Sequence, residues 1–412
     1  MSPVSVDHVM IVGAGIAGLA LAQALLKKGI DFTIYERDPT WNYRPQGYRI
    51  KIFPDTIVHL KDTMSLELWK EFENCCAVTV MGESTINALS ATLISSRALR
   101  GIRPYTVDRS VLRKVLVKGL EDKIQFGKKF SKYTINPDSV TITFEDGTES
   151  SGTLLVGADG GRSQIRQIFL PDFKTVDPEG ICIFGKTPIT DELKKRILPK
   201  ALQWFVVVRD TAPVIQQVIW GSELPVSMFV EKMSFPNRSL TEMELPEDYL
   251  YWSMLLPTKL LGMTEDAVTA SINRPSTEIG LDITCEWDPS LKCIIELQDP
   301  SQGAAIRIIS GPPMLPEWET SDRVALIGDA IHVMAPSGGV GVATALKDAS
   351  ILSDKLAQGG ISKSSIGAYE SEMRIYAEAS IRRSFAGGKL FFGQPPFDQC
   401  KEVSFKATSG EE

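Results

Sequence analysis

The sequence predicts an α/β protein with a Rossmann-like dinucleotide-binding domain cut into separate stretches of chain, an inserted, mostly antiparallel β-sheet, and C-terminal helices. Three observations predict it. Residues 8–37 read as strand, glycine turn, helix and strand. Two later apolar runs, at 153–156 and 323–327, each lead into a glycine-flanked aspartate. Between them, residues 173–275 are rich in β-branched and aromatic runs.

The first unit opens on a short apolar run at 8–12, after which Gly13, Gly15 and Gly18 spell G-x-G-x-x-G at the turn into a helix. Leu19, Ala22, Leu25 and Leu26 continue at helical spacing, Gly29 suits the position just past the helix end, and 32–35 is a second apolar run. The glycines serve a tight turn, backbone approach to a pyrophosphate, and close packing of helix on strand. Phosphates would sit on the N–H groups of the helix start. Glu36 ends the second strand, where a carboxylate can accept from both ribose hydroxyls of an adenosine and would repel a 2′-phosphate.

Residues 41–101 begin as a loop in which Arg44 and Arg49 flank Gln46-Gly47 and could carry cations toward a bound cofactor; a helical pattern starts near Pro54. A further helix begins at Asp108, its N-cap, with Val111, Leu112, Val115 and Leu116 on one face. Arg109 falls in its first turn, where the helix dipole disfavours a cation by up to about 1 kcal/mol. A nearby anion would remove that conflict, which makes Arg109 a candidate phosphate contact.

Residues 123–153 read as a β-meander with a tight turn at Asp146-Gly147. The run at 153–156 then delivers Asp159 to the carboxyl end of a buried strand, where open α/β sheets place ligand contacts. In 173–275 the runs WFVVVRD, VIQQVIW and YLYWSMLLP suggest an antiparallel sheet able to wall a pocket for an organic substrate. The run at 323–327 repeats the earlier pattern and presents Asp329. The SGGVG turn then opens a helix to about Leu356, whose start favours a ligand that becomes anionic. A last amphipathic helix runs from Lys363 to about Gly387, and the tail from Gln394 reads as irregular.

Composition narrows the partners. A net charge of -7 in 412 residues argues against nucleic acid or an anionic membrane surface. The six cysteines include no C-x-x-C pair, and with three histidines they form no metal pattern, so idle thiols in a reducing compartment are expected. With no basic leader and no apolar run of about eighteen residues, the expectation is a cytoplasmic protein without a membrane span.

Taken together, GAGIAG with Glu36, GADGGRS and GDAIHVMAPSGGVG resemble the FAD-dependent monooxygenases of the p-hydroxybenzoate hydroxylase type, especially fungal enzymes that tailor secondary metabolites, over roughly residues 8–385. That resemblance implies a discontinuous FAD-binding domain in 1–72, 102–172 and 276–357, a substrate-binding domain in 73–101 and 173–275, and a C-terminal helix and tail in 358–412. It implies that Gly13, Gly15, Gly18, Glu36 and Arg37 hold the ADP half, that Arg49 and Arg109 help hold the cofactor, and that Asp159 belongs to a dual-function DG motif. Asp329 would bind the ribityl chain; Pro336, Gly339, Gly341 and Val342 would border the isoalloxazine. Lys186, where related sequences often carry arginine, joins Arg49 and Pro336 as a residue expected on the reacting side.

The implied reaction takes one oxygen atom from O2, through a flavin C4a-hydroperoxide, to an electron-rich aromatic, indole-like, polyketide or terpenoid molecule. NAD(P)H serves as a transient co-substrate, because only one dinucleotide fingerprint is present. A monomer or homodimer is expected. One departure stands out: Ala343 occupies the place of the family's usual asparagine after the glycine turn. Baeyer-Villiger oxidation, epoxidation, and retention of the fold as a flavin-free binding module are the alternatives.

Overall fold

The computed structural model describes residues 7–41, 43, 48–101, 103–210, 226–262 and 264–403. Arg44, Gln46, Gly47 and the VIQQVIW run lie outside the described residues.

The first sheet is parallel throughout, in the order Val324–Leu326, Leu154–Gly157, His8–Val12, Asp31–Glu36, Ile124–Phe126. Three of its strands, Val324–Leu326, Leu154–Gly157 and His8–Val12, carry near-continuous apolar runs, with Val9, Met10, Ile11, Leu154, Leu155 and Val324 fully buried, as a sheet covered on both faces demands. From His8–Val12 the chain moves to one side for Asp31–Glu36 and to the other for Leu154–Gly157. The order therefore reverses at the carboxyl end of His8–Val12, where such sheets bind ligands. The helix Ile16–Lys28 packs against Gly341–Gly359, which in turn packs against the long helix Lys363–Phe392.

The second sheet has seven strands in the order Ala304–Arg307, Gly180–Pro188, Tyr249–Pro257, Ser227–Met233, Phe205–Arg209, Gly82–Asn87, Leu93–Ala98. Every pairing is antiparallel except that of Phe205–Arg209 with Gly82–Asn87. Its central strands are buried on both faces. One face carries Trp252 against Ile279, Leu291, Ile294 and Ile295; another cluster gathers Phe184, Tyr249, Tyr251 and Phe235 with Ala335, the neighbour of Pro336.

Three boundaries differ from the sequence-based expectation. Residues 276–307, expected in the dinucleotide unit, pack with the large sheet: Ser276–Ile283 and Pro289–Glu296 cover Trp252, and Ala304–Arg307 is a strand of that sheet. The helix Lys363–Phe392, expected as a separate C-terminal element, contributes Ile366, Tyr369, Met373, Ala377 and Ile381 to the core of the first sheet. The tail is not wholly irregular, since Lys401–Glu402 pairs with Val176–Asp177. Among the described residues no helix is long and apolar enough to cross a membrane, and no cluster of His, Cys, Asp or Glu could hold a metal ion.

Candidate functional site

The glycine turn after His8–Val12 owes its shape to two contacts that exclude a side chain. Gly13 has φ +112°, and a Cβ there would overlap the Ala158 carbonyl oxygen; a Cβ on Gly18 would overlap the Gly13 carbonyl oxygen. Gly15 differs, because nothing lies within 4 Å of where its Cβ would be. It is the N-cap of Ile16–Lys28 and offers no side-chain acceptor to the first N–H groups of that helix. Glu36, 7% exposed, accepts from the Ala14 N–H at 2.8 Å through one oxygen and from the Asp38 N–H at 2.9 Å through the other. Each oxygen keeps accepting capacity. Arg113 braces the turn from outside, donating to the Ala14 carbonyl at 3.0 Å while its guanidinium lies 5.3 Å from the Trp41 ring centroid. Sequence reasoning missed Arg113, although it stands one helical turn beyond Arg109. Arg37 is largely exposed beside Asp38.

The two glycine-flanked aspartates come together across the sheet. Asp159 accepts the Gln164 and Ile165 N–H groups at 2.8 and 3.3 Å through Oδ2, while its buried Oδ1 has no partner among the described residues. Burial raises its carboxyl, opposed by hydrogen bonds from Ser163 and the following backbone. The Asp329 side chain is reachable by solvent yet sits deep enough for desolvation to raise it, with His332, Arg109 and Arg166 pulling the other way.

Arg166 ties these turns to each other. It is 1% exposed and donates to the Ala330 carbonyl at 2.7 Å, the Gly161 carbonyl at 2.8 Å and Thr175 Oγ1 at 3.1 Å. Burial brings its guanidinium down to about 10. Arg166→Met is expected to lower stability by about 3 kcal/mol, since it orphans several buried acceptors at once. Denaturant unfolding checks this, and an unchanged midpoint would remove Arg166 from the site's framework.

Below Asp329 the turn is held from the helix Gly341–Gly359. The buried Asp348 accepts the Gly328 N–H at 2.7 Å and bonds His332 Nε2 at 2.6 Å through Oδ2, and takes the Tyr376 hydroxyl at 2.7 Å through Oδ1. Burial opposes a charge on His332, but Asp348 beside it prevails and raises its pKa. The Pro336–Gly338 turn rests on the long helix: Ser337 donates to the Ser384 carbonyl at 2.6 Å, and a Cβ on Gly338 would press on Ser384. Gly339 is left-handed at φ +63° and borders open space, while a Cβ on Gly341 would meet only Met334 Cγ, at 4.0 Å. Val340 gives Gly341–Gly359 no side-chain cap. Thr344 Oγ1 bonds the Val340 carbonyl and Ser380 Oγ, both at 2.9 Å, so the helix start beside Ala343 is fixed from the next residue. Val342, just inside that start, is half-buried.

Two residues expected on the reacting side are each paired with a buried acid. Lys186 is buried with its ammonium 2.5 Å from Asp108 Oδ2. Arg49 forms an ion pair with Glu231 at 2.8 Å, with Lys51 on the other oxygen at 2.7 Å, and lies over the rings of Phe205 and Tyr251. Arg109 lies 5.3 Å from the Tyr48 ring centroid, within electrostatic reach of Asp329. A cavity of 740 Å³ opens beside this corner, lined by Trp41, Asp108, Arg113, Lys186 and Gln302.

Comparison with known proteins gives consistent matches. A family described as FAD binding domain matches residues 7–225 and 314–384. The dual O-methyltransferase/FAD-dependent monooxygenase elcB of Phaeosphaeria nodorum is 39% identical over 435 residues, covering 95% of this chain and 46% of elcB. The chain thus spans about half the length of the curated relatives it matches at that level. A candidate FAD-containing monooxygenase of Photorhabdus luminescens superposes with a TM-score of 0.76 at 27% identity, over 93% of this chain and 98% of that one. HpxO of Klebsiella pneumoniae, solved with FAD and uric acid, shares the fold with a TM-score of 0.70 at 21% identity, over 95% and 90%.

Proposed function

We propose, for a chain that belongs to the FAD binding domain family, that it is an FAD-dependent monooxygenase which uses NAD(P)H and O2 to oxygenate an electron-rich aromatic small molecule in fungal secondary metabolism. The observation that carries the reading is one line of open polar features along the carboxyl ends of the parallel strands. Gly15 has room where a side chain would be, Glu36 is held ready as an acceptor, Asp159 keeps a buried oxygen without a partner, and Gly339 borders open space. These residues fit an extended dinucleotide whose two ends differ in chemistry.

FAD, when bound, supplies the electron transfer and the activation of O2. The chain's own groups bind and orient. The uncapped start of Ile16–Lys28 would take phosphate oxygens, Glu36 the adenosine ribose, and Asp159 and Asp329 hydroxyls of the linking chain. The start of Gly341–Gly359 would favour negative charge at the far end. The aromatic face of the large sheet, with Phe184, Tyr249 and Tyr251, would exclude water there. Relatives that pair the activity with an O-methyltransferase support a substrate carrying hydroxyl or methoxy groups.

The purified chain should bind FAD and, with NAD(P)H and a panel of hydroxylated aromatics, incorporate label from heavy-isotope O2 into product. Turnover of NAD(P)H with no label in any product would rule out the oxygenase reading. A chain that takes up no FAD would rule out the cofactor.

A further inference from the structure

We propose that Lys186 and Tyr249 of the large sheet are positioning residues for the cofactor: through Asp108 they set the direction in which Arg109 faces the site. The inference rests on the FAD reading above and adds a role that the reaction itself does not require of either side chain.

Asp108 is 1% exposed and does two things at once. Its Oδ1 accepts the Ser110 N–H at 2.8 Å, capping the helix Arg109–Val117. Its Oδ2 accepts both the Lys186 ammonium at 2.5 Å and the Tyr249 hydroxyl at 2.7 Å. The two donors come from neighbouring antiparallel strands, Gly180–Pro188 and Tyr249–Pro257, so the sheet's register fixes their spacing. Lys186 has one further acceptor, Gln302 Oε1 at 3.3 Å, and its ammonium lies 5.1 Å from the Tyr249 ring centroid.

A surface cap would tolerate loss of its outer partners; this one would not. Asp108 is a carboxylate out of water whose compensating cation belongs to a different sheet. Arg109 follows Asp108 directly, its N–H donates to the Tyr48 carbonyl at 2.9 Å, and its charge acts on Asp329. If Lys186 is lost, Asp108 must seek water or another donor, and the helix start moves with Arg109 on it. Groups that align a ligand contact in this way act through geometry, and small misplacements weaken the contact strongly.

The test uses the full-length purified chain and reads FAD affinity by quenching of flavin fluorescence, with the melting temperature of the FAD-free protein measured in parallel. Lys186→Met is expected to weaken FAD binding at least about tenfold, a loss of about 1.4 kcal/mol. Lys186→Arg restores most of it, and Tyr249→Phe gives a smaller loss in the same direction. Arg307→Met breaks a partly buried pair with Asp177 at the edge strand of the large sheet and serves as the stability control. It should lower the melting temperature without changing FAD affinity.

Wild-type affinity in folded Lys186→Met overturns the proposal, as does a loss that Arg307→Met reproduces. Should Lys186→Met fail to fold, Tyr249→Phe with unaltered affinity overturns it alone. Failure of the wild-type chain to quench flavin fluorescence would instead strike the FAD reading itself, so the two failures are distinguishable.

Discussion

Gly18→Ala is expected to lower stability by about 3 kcal/mol or more and to abolish FAD binding, whereas Gly15→Ala leaves stability within about 1 kcal/mol and weakens FAD binding alone. The contrast follows from what each new methyl group would meet. At Gly18 it would overlap the Gly13 carbonyl oxygen, with Ile11 Cγ2 3.2 Å and the Ala158 Cβ 3.3 Å away. No rotamer relieves a backbone collision, so helix and strand must part. At Gly15 the methyl group meets no protein atom and occupies only the space proposed for the diphosphate. Denaturant unfolding of the FAD-free chain and a flavin fluorescence titration measure the two effects separately. Unaltered affinity in Gly15→Ala would show that the diphosphate does not approach there.

The second large effect lies under Asp329. Asp348→Ala is expected to cost about 3–5 kcal/mol, because it leaves His332 and the Gly328 N–H buried without their acceptor. The pair also has a pH signature. His332 is raised above its ordinary value of 6.5 in the folded chain, so folding favours its protonated form. That contribution is fully present below pH 6.5 and is lost as pH rises through the raised folded value. Wild-type stability should therefore decline on the alkaline side of 6.5, and His332→Gln should flatten that decline. An identical pH profile in the two proteins would show that His332 stays neutral throughout.

What could be read from the sequence was local. Gly18 is dictated by a contact within its own turn, and Asp108 caps its own helix, so residue type and spacing suffice to find them. The same holds for Asp159 and Asp329, each at the end of an apolar run. The partner of a buried charge cannot be found this way. Lys186 meets Asp108, and Arg49 meets Glu231, only because a separate two-stranded sheet, Arg49–Ile52 paired with Tyr105–Asp108, faces the large sheet with its own register. Arg166 and Asp348 were equally invisible, since several of their partners are backbone groups that any sequence supplies and the rest lie on other elements. The misplaced boundary at 276 has a similar cause. Ser276–Ile283 is amphipathic, and its apolar face looks the same whichever sheet it covers.

The position of Val324–Leu326 at the edge of the parallel sheet has a consequence for the order of events in the cell. A nascent chain emerges from its N-terminus at about 5–20 residues per second. The glycine turn is therefore made before Asp329, and the clamp from Arg166 to Ala330, which spans 164 positions, waits for that later segment. Capture of the cofactor must then follow release of the segment that carries Asp329 and the helix Gly341–Gly359. An interrupted translation product would hold a correctly shaped adenosine end and no means of closing on it.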